Sequence, residues 1–347
     1  MFLYISIMKI NLLFLTVFIS TSLLGQTTES ALDILNPKSI IKEIFSGGEG
    51  LLLEGPAMGP DGNLYFSDVI FTQYEGMKAG IIWKYNPKTE ETKVFRSPSG
   101  MSNGLAFDIY GNLIACEGAD FGGRRVIKTN LSSGKSTIAA ALFDDKPFNS
   151  PNDVVVDNKG RIYFTDPRYF GAESIDQPVN GVYRIDADGS VHIIIGNASQ
   201  PNGIAISPDN KKLYVTNYDF GYSHMPAFPK DFKGPRSKIK GAILEYELLP
   251  DGNVKYKGIL VNYKDEGPDG LKVDTEGNIY AAVGGNVVVY SPVGKKLIDI
   301  NVPNRGAKNL CFGRDEFNKT LFITTNKKLY SLPIKKEGYH VPFQTKN

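Results

Sequence analysis

Histidine and cysteine are scarce in this chain: three and two among 347 residues. Three scattered histidines exclude a histidine-built metal site, and neither a CxxC pair nor a zinc-ligand spacing occurs. Cys116 and Cys311 fall in units that are not neighbours in the repeat described below. A disulfide between them is therefore not expected, although an oxidising compartment would permit one. No G-x-S-x-G occurs, so a serine nucleophile on a strand-to-helix elbow is not indicated. Dense Lys/Arg blocks are also missing and the formal net charge is +2, which argues against a nucleic-acid partner. The apolar run Leu12–Ile19, after Lys9 and before small and polar residues, is short for a stable membrane span. It has the form of a secretory signal peptide over residues 1–25, cut near Gly25, with Met8 as an alternative start. An uncleaved membrane anchor is the other reading. The expectation is a secreted or periplasmic protein without a stable membrane span after signal removal. Residues 26–37 read as a polar leader.

What is present is an ordinary globular composition, 41% hydrophobic and 22% charged, with 18 Tyr and 20 Phe spread through strand-like runs. The stretch "EGPAMGPDGNLYFSD", Glu54 to Asp68, sets a carboxylate before a hairpin with an Asp61-Gly62 turn. It is one of six copies. The strands that follow each turn begin at Leu64, Leu113, Ile162, Leu213, Ile279 and Leu321, which are 49, 49, 51, 66 and 42 residues apart. Such a period with short strands indicates the blades of a β-propeller. The fold class is therefore all-β: six blades of four strands over residues 38–335, with an insertion at 219–240 in blade four and a tail at 336–347. The sixth unit lacks an outer strand, and "SIIKEIF" (39–45) can supply it, closing the ring with both termini. A pair of β-sandwiches is the competing architecture.

Counting back ten to twelve residues from these six anchors gives Glu54, Asn103, Asn152, Asn202, Asp269 and Asn309. First strands line a propeller's channel, so these form a ring of oxygen-bearing side chains. Oxygen-only donors with about two negative charges suit a hard divalent cation, Ca²⁺ before Mg²⁺. A recurring Asn/Asp corner in each blade is the competing reading. Pairing mirrored about Asp61 sets Glu54 opposite Asp68, and brings Asp166 near Asn152 and Asn217 near Asn202. Asp68, Glu117, Asp166 and Asn217 then either orient the ring and touch substrate, or cap strand ends.

The segments "EGPAMGPDGNLYFSD", "SPNDVVVDNKGRIYFTDP", "QPNGIAISPDNKKLYVTN" and "GPDGLKVDTEGNIYAA", in that order, resemble the family of senescence marker protein, gluconolactonases and luciferin-regenerating enzyme. The resemblance covers residues 40–332. It implies a six-bladed propeller with one divalent cation in the channel, Ca²⁺ first and Mg²⁺, Mn²⁺ or Zn²⁺ as other candidates. It also implies hydrolysis of a small-molecule lactone or related ester. Carried over by position, the metal ligands are Glu54, Asn202 and Asp269, and Asn152 is an additional ligand or a substrate contact. Asp269 is the general base by the same resemblance, with Asp166 in reserve. Asn103 and, from the insertion, His224 are further substrate-binding candidates. Sugar-lactone members carry an Arg two residues before the substrate Asn; here that residue is Ser150, so a sugar-acid preference is not implied. Two other functions remain open. One is a non-enzymatic binding propeller with a structural cation. The other is a strictosidine-synthase-like enzyme, which needs a catalytic Glu and no metal ring. The aromatic-rich insertion reads as an ordered loop at the mouth, placed to select substrate.

Overall fold

A computed structural model describes residues 29–222, 239–263 and 267–344. Six four-stranded antiparallel sheets form the body. Blade one holds Leu52–Met58, Leu64–Val69, Ile81–Asn86 and Glu91–Arg96; blade two holds Ser102–Phe107, Leu113–Glu117, Arg125–Thr129 and Ser136–Ala140. Blade three holds Val154–Val156, Ile162–Asp166, Gly181–Ile185 and Val191–Ile195; blade four holds Pro201–Ile206, Lys212–Tyr218, Gly241–Leu248 and Val254–Tyr263. Blade five holds Pro268–Val273, Ile279–Val283, Asn286–Tyr290 and Lys296–Ile300. Blade six joins Asn309–Phe312, Thr320–Thr324 and Lys328–Pro333 to the N-terminal strand Lys42–Ser46, whose Lys42 pairs with Ser331. Each innermost strand touches the next, and the sixth touches the first, so the ring is closed. This is the expected six-bladed propeller with its terminal closure.

Local chemistry explains the repeat. In blades one to five the innermost hairpin turns on an acidic or hydroxyl residue that accepts amide hydrogens across the bend, as Asp157 does from Lys159 and Arg161. The turn then needs a left-handed residue: Gly62 has φ 71°, and Asn210 supplies φ 55° in blade four. Second strands such as Leu64–Val69 are buried throughout, whereas outermost strands such as Glu91–Arg96 face water. The apolar side chains meet between blades. Tyr280, Val289, Leu310 and Ile323, for instance, pack together from blades five and six.

Two segments differ from expectation. Within the stretch read as a polar leader, Glu29–Ile34 is a short helix whose Ile34 enters the core between blades five and six. The C-terminal residues are a strap rather than a loose tail. Tyr339 N donates to Val273 O at 3.1 Å, Asp274 bridges Gly338, and Gln344 N donates to Ile109 O. The strap thus lies across the turn end of the channel, where Tyr339, His340 and Val341 cover an apolar cavity of about 100 Å³. Residues 1–25, read from the sequence as a signal peptide, lie outside the described residues, as do His224 and most of the 219–240 insertion. Among the described residues no helix is long and apolar enough to cross a membrane.

Candidate active site

The ring residues sit where the innermost strands begin. In four blades a β-bulge follows directly. In blade one Glu54 pairs with Ser67 but Ala57 pairs with Tyr65, and the same slip separates Ser102 from Leu105, Pro201 from Ile204 and Pro268 from Leu271. A bulge bends the strand and re-aims a side chain, here at the channel. The recurring glycine after the ring residue has a second cause. A Cβ on Gly104 would lie 2.5 Å from Asn152 O, and one on Gly270 would lie 2.1 Å from the Asn309 side chain. Adjacent blades therefore touch backbone to ring residue at this level. Blade three carries Asp153 at the glycine's place. This carboxyl is fully buried, with Lys272 Nζ at 3.6 Å from Oδ2.

Five of the six ring residues, Glu54, Asn103, Asn152, Asn202 and Asp269, line one cavity of about 270 Å³ at the mouth. Asn309 does not line it; its Oδ1 accepts from Leu310 N at 2.8 Å. The walls above the ring are apolar and aromatic: Val69, Ile70, Phe71, Met101, Phe170 and Phe220. Phe71 and Phe170 have centroids 4.0 Å apart.

The two acids at the floor share a poorly solvated space. Burial raises the Glu54 carboxyl well above the usual carboxylate range, and Asp269 and Asp153 add to this by repulsion. Burial also lifts Asp269 to about 6, opposed chiefly by Lys308, while Asn202 hydrogen-bonds the Asp269 carboxylate. The buried Asn103 Oδ1 has no hydrogen-bond partner. Two crowded carboxylates, amide oxygens and an orphaned buried carbonyl make a donor set that fits a hard divalent cation. Among the described residues no group of three or more His, Cys, Asp or Glu side chains is arranged for a metal. The fit therefore rests on amides completing the two acids.

Asp166 does not join this site. Its Oδ2 and Oδ1 accept from Asn149 N and Ser150 N, both at 2.7 Å, and it does not line the cavity. Asp68 does the same for Glu49 N and Gly50 N at 2.8 Å, and Asn217 Oδ1 for Ser199 N and Gln200 N. Of the two readings of this second row, strand-end capping holds for these three; Glu117 instead pairs with Arg125 at 2.6 Å. The mirrored pairing was one residue out because of the bulge: Asp68 lies opposite Leu53, and Asn217 opposite Pro201. The reserve base is accordingly withdrawn. His192 is exposed on an outer strand and His340 lies in the strap, so neither described histidine reaches the site. Sequence reasoning missed Lys308, which lines the cavity one residue before Asn309.

Residues 52–327 match the SMP-30/Gluconolactonase/LRE-like region. The chain belongs to this family. Among its relatives is a gluconolactonase of Zymomonas mobilis, 30% identical over 336 residues, which spans 89% of this chain and 85% of the relative. The lactonase drp35 of Staphylococcus epidermidis is 31% identical over 261 residues, 74% of this chain and 71% of the relative. Among solved structures, a gluconolactonase from Xanthomonas campestris superposes with a TM-score of 0.72 at 25% identity, covering 89% of this chain and 94% of that one. In this member of the SMP-30/gluconolactonase family, Ser150 Oγ accepts from Ala119 N at 2.9 Å. No guanidinium enters the cavity from that position.

Proposed function

We propose that the protein is a cation-dependent lactonase that opens a cyclic ester at the floor of the mouth cavity. The observation that carries this reading is the set of five oxygen-bearing side chains, two of them carboxylates, beneath an apolar wall. The names of the relatives, gluconolactonase and lactonase, point to the same reaction class. Glu54, Asn152, Asn202 and Asp269 would hold the cation, Ca²⁺ before Mg²⁺ on the chemistry of the donors. A divalent cation there would supply Lewis acidity toward the ester carbonyl.

The chain's own residues do the rest. Asp269, steadied by Asn202, takes a proton from the attacking water and returns it to the ring oxygen as the acyl C–O bond breaks. Asn103, whose Oδ1 is unpaired, and Asn152 orient the substrate. Phe71, Phe170 and Phe220 keep bulk water from the reacting centre. With Ser150 in place of an arginine and an apolar wall, aldonolactones are not favoured over apolar lactones. The proposal includes export, on the apolar run Leu12–Ile19; N-terminal sequencing of the mature protein checks it.

The test is hydrolysis of aldonolactones, alkyl lactones and aryl esters, before and after chelation, with Ca²⁺, Mg²⁺, Mn²⁺ or Zn²⁺ restored singly. Cation-restored lactone turnover is expected. Full lactonase activity in protein shown by elemental analysis to be metal-free would sink the cation requirement. No turnover on any lactone would sink the hydrolase reading.

A further inference from the structure

The cavity holds one group that the reaction above leaves idle. Lys308 is the sole cationic side chain among the described residues that line it. Its place is fixed by the fold: Lys308 N donates to Thr324 O, and Lys308 O accepts from Gly270 N, both at 2.9 Å. It precedes the ring residue of blade six. The corresponding residues in the other blades are Leu53, Ser102, Pro151, Pro201 and Pro268, so no structural rule of the blade calls for a lysine there. The side chain is half-buried. Its ammonium has no ion-pair partner among the described residues, although Glu54 and Asp269 line the same space. Asp120, the other acid on the wall, is already engaged by Thr72 N at 2.7 Å and Thr72 Oγ1 at 2.6 Å.

The charges decide what such a group can serve. Glu54 and Asp269 carry two negative charges when ionised, and a divalent cation balances them. Lys308 then leaves the site with one positive charge over. A lactone is neutral, but its hydrolysis is not charge-neutral at the reacting group. Water adds to the carbonyl, the acyl C–O bond breaks, and the product is a hydroxy-carboxylate, with one proton released to solvent. Negative charge appears on the carbonyl oxygen in the transition state and stays on the product.

We propose that Lys308 is the anion-binding residue of this site, taking up the charge that develops on the carbonyl oxygen and retaining the carboxylate of the opened hydroxy acid. This rests on the lactonase reading for its catalytic half only, because carboxylate binding can be measured without turnover.

The experiment compares wild type, Lys308→Met and Lys308→Arg, each checked for folding by thermal melting and loaded with Ca²⁺. The probes are 4-hydroxyoctanoate in titration calorimetry and its γ-lactone in steady-state kinetics. Lys308→Met should bind the hydroxy acid about tenfold more weakly or worse, and lose roughly tenfold or more in kcat with a smaller change in KM. Lys308→Arg should recover part of both. Ca²⁺ affinity of Lys308→Met should be equal or tighter, since a neighbouring positive charge has gone. Two results overturn the proposal: wild type that does not bind the hydroxy acid, or equal binding by wild type and Lys308→Met. In the second case Lys308 merely offsets the carboxylates. Wild type that binds the acid through Lys308 yet hydrolyses no lactone would leave the anion site standing and remove the hydrolase reading.

Discussion

Acidic residues of the same type serve two ends here, and their surroundings separate them. Asp269 faces an open cavity beside Glu54 and Lys308, whereas Asp166 is closed in with both oxygens on backbone amides. Burial nevertheless pushes Asp166 up to about 7, so an elevated pKa alone does not mark the site. Replacement separates the roles. Asp269→Asn and Glu54→Gln should each lower kcat by about 100-fold or more while the melting temperature holds. Asp166→Asn should do the reverse. One amide loses a charged acceptor, costing about 1–3 kcal/mol in stability, while kcat per folded molecule stays within a few-fold. Thermal melts paired with active-site-normalised kinetics check both. Loss of activity in a fully stable Asp166→Asn would restore it as a catalytic candidate.

Among the elements, the hairpins were legible and their fine register was not. Turn residues such as Asp61-Gly62 and Gly160, followed by runs such as Leu64-Tyr65-Phe66 and Ile162-Tyr163-Phe164, carry both the turn chemistry and the burial, so the blade count could be read directly. The bulge after Glu54 is written only as Gly55, and glycine also serves turns and close approaches, so the one-residue slip left no distinct mark. Lys308 was overlooked because counting to the ring stopped at Asn309. The strap was overlooked because its few apolar residues, Tyr339, Val341 and Phe343, form no periodic pattern. It has a measurable signature. Burial, with Arg314 adding to it, lowers His340 to about 3, against the pull of the Gly313 carbonyl at 2.8 Å. The folded pKa lies below the ordinary value of about 6.5, so the unfolded chain takes up a proton first as pH falls. Above about 6.5 the histidine contributes no pH dependence. Between there and about 3 it progressively destabilises the fold, on the order of 1–2 kcal/mol by pH 5. Melting temperatures of wild type and His340→Gln from pH 7 to pH 5 should diverge in slope, with the variant flatter. Parallel curves would remove this group from the acid sensitivity.

For the molecule as a whole, closure of the ring depends on Lys42–Ser46, the only strand of blade six drawn from the N-terminal end. Phe45 anchors it against Phe66 and Trp83, at 5.4 and 5.3 Å between centroids. Removing residues up to 46 should bare the edge of Lys328–Pro333, lower the melting temperature by at least about 5 °C, and promote self-association. Size-exclusion chromatography and scattering during the melt measure this; a monomeric variant of unchanged melting temperature would show that the ring holds without its clasp. The strap has a different consequence. Because residues 337–344 lie over the turn end, that end of the central passage is covered among the described residues, and the mouth beside the ring is the lined way in. If a molecule that enters past Phe71, Phe170 and Phe220 leaves the same way, arrival and departure compete for one threshold. A spent molecule held at the floor blocks its successor, and turnover at high concentrations is then governed by traffic at the door.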